Sequence, residues 1–369
     1  MTATPGTGLI RHAATIAGLA AFMISHSAAG TSHDERGVGH DSCTNPATLS
    51  SRMEFATLPE AKEILGDDDP WARQLSAFDR GIRPKMTPAP DLDEFLDFAA
   101  DNAIQWTAQE RKAWQSVIHD LSKAMAGLQI DLPDVTLVKT TGAEEFGSAY
   151  TRGAAINMAQ PIASLATEAP DVAFFLLAHE LFHVLSRFDT KLRDDMHALL
   201  GFMPFHGFRY PLELEPYRLS NPDSFDYGGA LVVRTSTGSA TVVPLIQSQL
   251  ALEDAIRLPI VFDAVVIDLV AVDTTTGAVL RDANGDLLIY GFGHTDYVPQ
   301  MSRNTDFIIQ PQEAMADNFA LLMQCRATGY LPAGTPTGFA VNDVPLLESV
   351  EDRLRSGCNA KPQCFHAKD

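Results

Sequence analysis

The sequence predicts an α+β protein: a helical N-terminal region, a mixed sheet with a long buried helix behind it, and a β-rich insertion before the last helices. Three observations carry that prediction. Apolar residues recur at spacings of three and four through 58–130, alternating or β-branched runs fill 135–159 and 230–293, and "FFLLAHELFHVLSRFD" (174–189) is an apolar run too long for a strand. The 369 residues are 46% hydrophobic and 20% charged, ordinary for a folded chain with a large core. A net charge of -20 sets the surface against phosphate backbones and anionic membranes, so nucleic acid is not an expected partner.

Taken in order, residues 1–29 hold one basic residue (Arg11), the run "AATIAGLAAFMIS" and then "SHSAAG". This is the layout of a secretory signal peptide, with Ser27 and Ala29 at the −3 and −1 positions, and it implies a secreted or periplasmic mature chain. The apolar run is shorter than the ~20 residues of a membrane span, and no later segment is long enough, so no stable span is expected. The four cysteines, Cys43, Cys325, Cys358 and Cys364, suit an oxidising compartment, and the close spacing of Cys358 and Cys364 favours a local loop between them.

Residues 30–57 are polar and unpatterned and read as a flexible N-terminus. In 58–130, "LPEAKEILG", "DLDEFLDFAADNA" and "TAQERKAWQSVIHDLSKAMAGL" read as helices, and Thr107 with Glu110 forms a capping box. In 131–206, "DVTLVKTT" and "SAYTRGAAINMA" read as strands, followed by the long apolar helix and by further helix over 191–203. The 207–300 segment is the β-rich insertion, with "STG", "TTG" and "ANGD" as hairpin turns, and 301–369 holds the helix "PQEAMADNFALLMQCRATG" and the cysteine-containing end.

His179, Glu180 and His183 form H-E-x-x-H. On a helix, positions i and i+4 share a face, so both imidazoles reach one metal ion while Glu180 stands beside a water on that metal. Zn2+ takes imidazole nitrogen and carboxylate oxygen, brings the pKa of its water to about 7 and polarises a carbonyl. A neighbouring carboxylate then serves as general base, the role assigned to Glu180. Burying these three residues in an apolar helix with nothing bound to them would cost several kcal/mol.

Three sets of residues compete for the third ligand. Glu313 opens the helix at 311, with Asp317 one turn later on the same face, placed to accept the second N–H of His179. H-E-x-x-H with a downstream E-x-x-x-D resembles the gluzincin metallopeptidases of the thermolysin type. That resemblance covers about 20 residues and implies a zincin-like catalytic domain, zinc held by His179, His183 and Glu313, and hydrolysis of peptide bonds in a peptide or protein substrate. The two motifs are close together in that family, whereas about 130 residues separate His183 from Glu313, which makes the β-rich segment an insertion between the ligand helices. Asp189 occupies the terminal position of a metzincin-like pattern, although Ser186 stands where that pattern places Gly. Glu213 and Glu215 have only proximity in their favour.

The resemblance further implies a substrate strand laid along a sheet edge, for which "SAYTRGAAINMA" is the natural edge strand. His294 and Tyr297 in "GFGHTDYVP" are candidate oxyanion donors. The reading from a different class is an exported zincin-like binding protein that has lost catalysis.

Overall fold

The computed structural model describes residues 49–355 and Cys364. The expected signal peptide, Cys43 and Cys358 lie outside the described residues. The architecture is α+β, with a mixed sheet, a helical region and a second, antiparallel sheet.

The mixed sheet has the order β1-β2-β4-β3, with β1 Met53–Phe55, β2 Val135–Thr140, β3 Ala149–Arg152 and β4 Ala155–Ala159. β1 and β4 both run parallel to β2, and β3 returns antiparallel to β4 as the edge strand. Strands buried on both faces read as near-continuous apolar runs, and β4 ("AINMA") is buried throughout. The expected flexible segment therefore stops short of 57: Leu49–Arg52 forms a helical turn and Met53–Phe55 joins the sheet, because Leu49 and Met53 have a core to enter.

Helices α1 Leu58–Leu65, α2 Leu92–Asp101 and α3 Ala108–Ala124 each start at a capping box, at Thr57/Glu60, Asp91/Glu94 and Thr107/Glu110. α4 Gln160–Glu168, α5 Pro170–Phe188 and α6 Thr190–Leu199 follow β4. The helix expected over 191–203 ends at Leu199, and Phe202–Pro204 becomes β5, the first strand of the antiparallel sheet. That sheet continues in sequence order through β6 Gly229–Thr235, β7 Gly238–Ser248, β8 Val265–Ala271 and β9 Ile289–Tyr290. Strands β6 to β9 occupy the stretch expected to be the β-rich insertion, and β5 lies just before it.

The chain closes with α7 Pro311–Thr328 and α8 Val344–Leu354. α7 is buried continuously from Pro311 to Met323, so it lies at the centre of the molecule and packs along α5. It stops at Gly329, whose left-handed φ of 74° lets its N–H reach back to the Cys325 carbonyl at 2.7 Å. α8 packs on α7 and carries the chain back beside it, so that Cys364 bonds to Cys325 across 39 residues. This displaces the expected local loop between Cys358 and Cys364. Among the described residues, no helix is long and apolar enough to cross a membrane.

Candidate metal centre

α5 buries every residue from Ala173 to Ser186, which takes His179, Glu180 and His183 out of water with their apolar neighbours. Helical periodicity places the two Nε2 atoms 3.1 Å apart. α7 faces them with its first turn, where Glu313 Oε2 lies 3.2 Å from His179 Nε2 and 3.4 Å from His183 Nε2. Donors about 2.0–2.1 Å from a tetrahedral zinc are separated by about 3.3–3.4 Å, so this triangle has the dimensions of three corners of such a site. Two imidazoles and a carboxylate are also the donor types zinc takes, and the residues present therefore fit the ion.

Two corners of the triangle, His179 and Glu313, are held from behind. His179 Nδ1 lies 2.8 Å from Asp317 Oδ1, and the Thr305 hydroxyl donates to the other Asp317 oxygen. The acceptor leaves Nε2 of His179 free to face the centre. Glu313 Oε1 accepts from the side-chain amide of Asn221. Removing the acceptor behind a zinc histidine weakens metal binding by about 10- to 100-fold. Asp317→Ala is expected to show that loss in a chelator-competition titration, and an unchanged zinc affinity would remove Asp317 from the site.

The electrostatics ask for positive charge at the centre. Burial disfavours a charged His179 ring, yet hydrogen bonds to Asp317 and Glu313 outweigh it and raise its pKa. Burial also works against an ionised Glu313, but His183 and His179 overcome it and hold that carboxyl far below the usual range. Glu180 goes the other way: burial, reinforced by the nearby Asp223 carboxylate, raises its pKa despite His179. Glu180 Oε2 is buried without a hydrogen-bond partner among the described residues.

His179, Glu180 and Glu313 border a cavity of about 100 Å3 that also has an apolar lining, which includes Leu176, Phe262 and Ile267. Ser148, Ala149 and Tyr150, at the start of the edge strand, border the same cavity. The sequence stretch "SAYTRGAAINMA" thus divides: its first half is the edge strand and its second half is interior. Thr151 N–H turns away from β4 and donates to Asp223 Oδ1 at 2.8 Å. By the period-two alternation of a strand, Ala149 presents its backbone to that same open side.

The alternative ligands are engaged elsewhere. Asp189 caps α6, accepting from Leu192 N at 2.9 Å on the surface, because the helix continues through Ser186 instead of turning back beneath the site. Glu213 pairs with Arg281 at 2.6 Å and Glu215 with Arg218 at 3.0 Å. Neither candidate oxyanion donor borders the cavity. His294 is exposed, and Tyr297 is a core residue that stacks on Phe292 at 4.8 Å and donates its hydroxyl to the Ile308 carbonyl at 3.0 Å.

Three participants were not singled out from the sequence: Thr305, Asn221 and Asp223. "SNPDS" reads as turn punctuation, and its role depends on the long-range folding that lays it across Glu313 and β3. Searches against protein-family models, curated proteins and solved structures find no match to this chain.

Proposed function

We propose that this protein is an exported zinc-dependent metallopeptidase with a zincin-like catalytic domain, in which His179, His183 and Glu313 hold zinc and Glu180 is the general base. The reading rests on one observation: the convergence of His179 Nε2, His183 Nε2 and Glu313 Oε2 to within 3.4 Å, beside a buried Glu180 oxygen that has no hydrogen-bond partner among the described residues. Zinc, when bound, activates water and polarises the scissile carbonyl.

The chain's own residues supply the remaining steps. Ala149, on the open side of β3, offers the backbone groups against which an extended substrate is laid. The apolar wall of Leu176, Phe262 and Ile267 excludes water and receives an apolar side chain next to the scissile bond. Glu180 takes the proton from the attacking water and returns it to the leaving amine. Asp317 keeps His179 in the tautomer whose Nε2 faces the centre throughout. The Cys325–Cys364 bridge suits a protein that works in an oxidising compartment.

Elemental analysis tests the proposal. The expected result is one zinc per chain in the wild type, lost or sharply weakened in Glu313→Ala, together with digestion of casein that a chelator stops. A wild-type protein that takes up no zinc after reconstitution would overturn it. Full zinc occupancy in Glu313→Ala would reassign the third ligand.

A further inference from the structure

We propose that Asp79 and Arg83 are positioning residues of the metal centre, acting through Ser220 and Asn221 on Glu313. The inference rests on the zinc reading above and extends it to the helical N-terminal region, far from H-E-x-x-H in sequence.

The chain of contacts is continuous. Asp79 and Arg83 sit on the helical turn Ala77–Ile82 and its C-terminal end, both side chains 0% exposed, with Arg83 Nη1 3.0 Å from Asp79 Oδ1. Arg83 also grips Glu145 with two nitrogens, at 2.6 and 2.9 Å, and is sandwiched between Trp71 and Phe146 at 5.2 and 5.5 Å. Against this rigid base both backbone groups of Ser220 are fixed: its N–H donates to Asp79 Oδ1 at 2.7 Å, and its carbonyl accepts from Arg83 Nη2 at 3.0 Å. Ser76 adds a third tie, from its hydroxyl to the Arg218 carbonyl at 2.9 Å.

The next residue is Asn221, whose amide donates to Glu313 Oε1 while its own oxygen accepts from Asp223 N at 3.0 Å. The segment is therefore clamped on one side by the N-terminal region and delivers a donor to the metal ligand on the other. Desolvating an arginine and two acids is a poor route to stability alone, since apolar residues of similar volume serve as well or better. What an apolar cluster would not supply is the paired donor and acceptor that fix Ser220, and through it the direction of the Asn221 side chain.

A cycle of variants separates this role from a general contribution to folding. Zinc dissociation constants are measured by chelator competition for wild type, Asn221→Ala, Asp79→Ala and the double variant, alongside thermal unfolding of each. Asn221→Ala is expected to weaken zinc by about 10- to 100-fold, the usual effect of losing an outer-shell partner. Asp79→Ala is expected to weaken it several-fold, and the double variant to bind no more weakly than Asn221→Ala alone, because the two residues act in series. If Asp79→Ala does not fold, Asp79→Asn carries the same cycle with a smaller change.

Stoichiometric zinc in the wild type with unchanged affinity in Asn221→Ala would overturn the inference and leave the zinc site standing. Losses that multiply in the double variant, or an Asp79 variant that melts earlier but binds zinc as tightly, would overturn the link between Asp79 and Asn221. A wild type that binds no zinc would remove the zinc reading itself.

Discussion

Glu180→Gln is expected to keep its zinc and lose about 10²- to 10⁴-fold in kcat, the range associated with a positioned general base. The amide matches the carboxylate in size and keeps a hydrogen-bonding oxygen, so the buried helix around residue 180 has no reason to rearrange. What it loses is the capacity to accept a proton. The loss should fall on kcat and kcat/KM together, since the interaction is made in the transition state and not in the bound substrate. Chelator-sensitive hydrolysis of a quenched peptide, measured beside zinc content, is the readout. Turnover at wild-type rates in a zinc-loaded Glu180→Gln protein would sink the mechanism.

The second large effect is on stability. Phe182 follows the glutamate by two positions, is fully buried, and packs on Phe319 of α7 with ring centroids 5.6 Å apart. It lies between the helix that carries both histidines and the helix that carries Glu313. Truncating a buried Phe to Ala costs about 3–5 kcal/mol, through lost transfer energy and the cavity left behind. A denaturant midpoint that falls accordingly, with an unchanged slope, would place that loss in the folded state; a shift worth less than about 1 kcal/mol would mean the helices close over the gap.

Much of the centre was legible because its parts are local. H-E-x-x-H needs only helical periodicity to bring His179 and His183 together, and Asp317 lies one turn from Glu313 for the same reason. The pairing of the two motifs across 134 positions is what the gluzincin resemblance implies, and the fold brings Glu313 Oε2 within 3.2 Å of His179 Nε2. The errors have a common cause in contacts that cross the fold. Cys325 bonds to Cys364 because α8 runs back along α7, a packing event that cysteine spacing does not encode. Tyr297 looked like a loop residue among glycines, but its ring stacks on Phe292 and is buried. Asn221 and Asp223 carry no local signal beyond a turn, and their contacts are long-range: Asn221 meets Glu313, Asp223 meets Thr151, and the neighbouring Ser220 is held by Asp79 and Arg83, more than a hundred positions away.

The cavity beside Glu180 draws part of its lining from each of the two sheets' surroundings. His179, Glu180 and Leu176 belong to the helix behind the mixed sheet, whereas Ile246, Val265 and Ile267 come from β7 and β8 of the separate antiparallel sheet. On the proposed function, the reacting groups and part of the apolar wall that receives the substrate would belong to different parts of the chain. If that function holds, a descendant lineage could change its diet through the strand residues Ile246, Val265 and Ile267 while every donor atom at the centre keeps its place, and an engineer would have the same positions to vary.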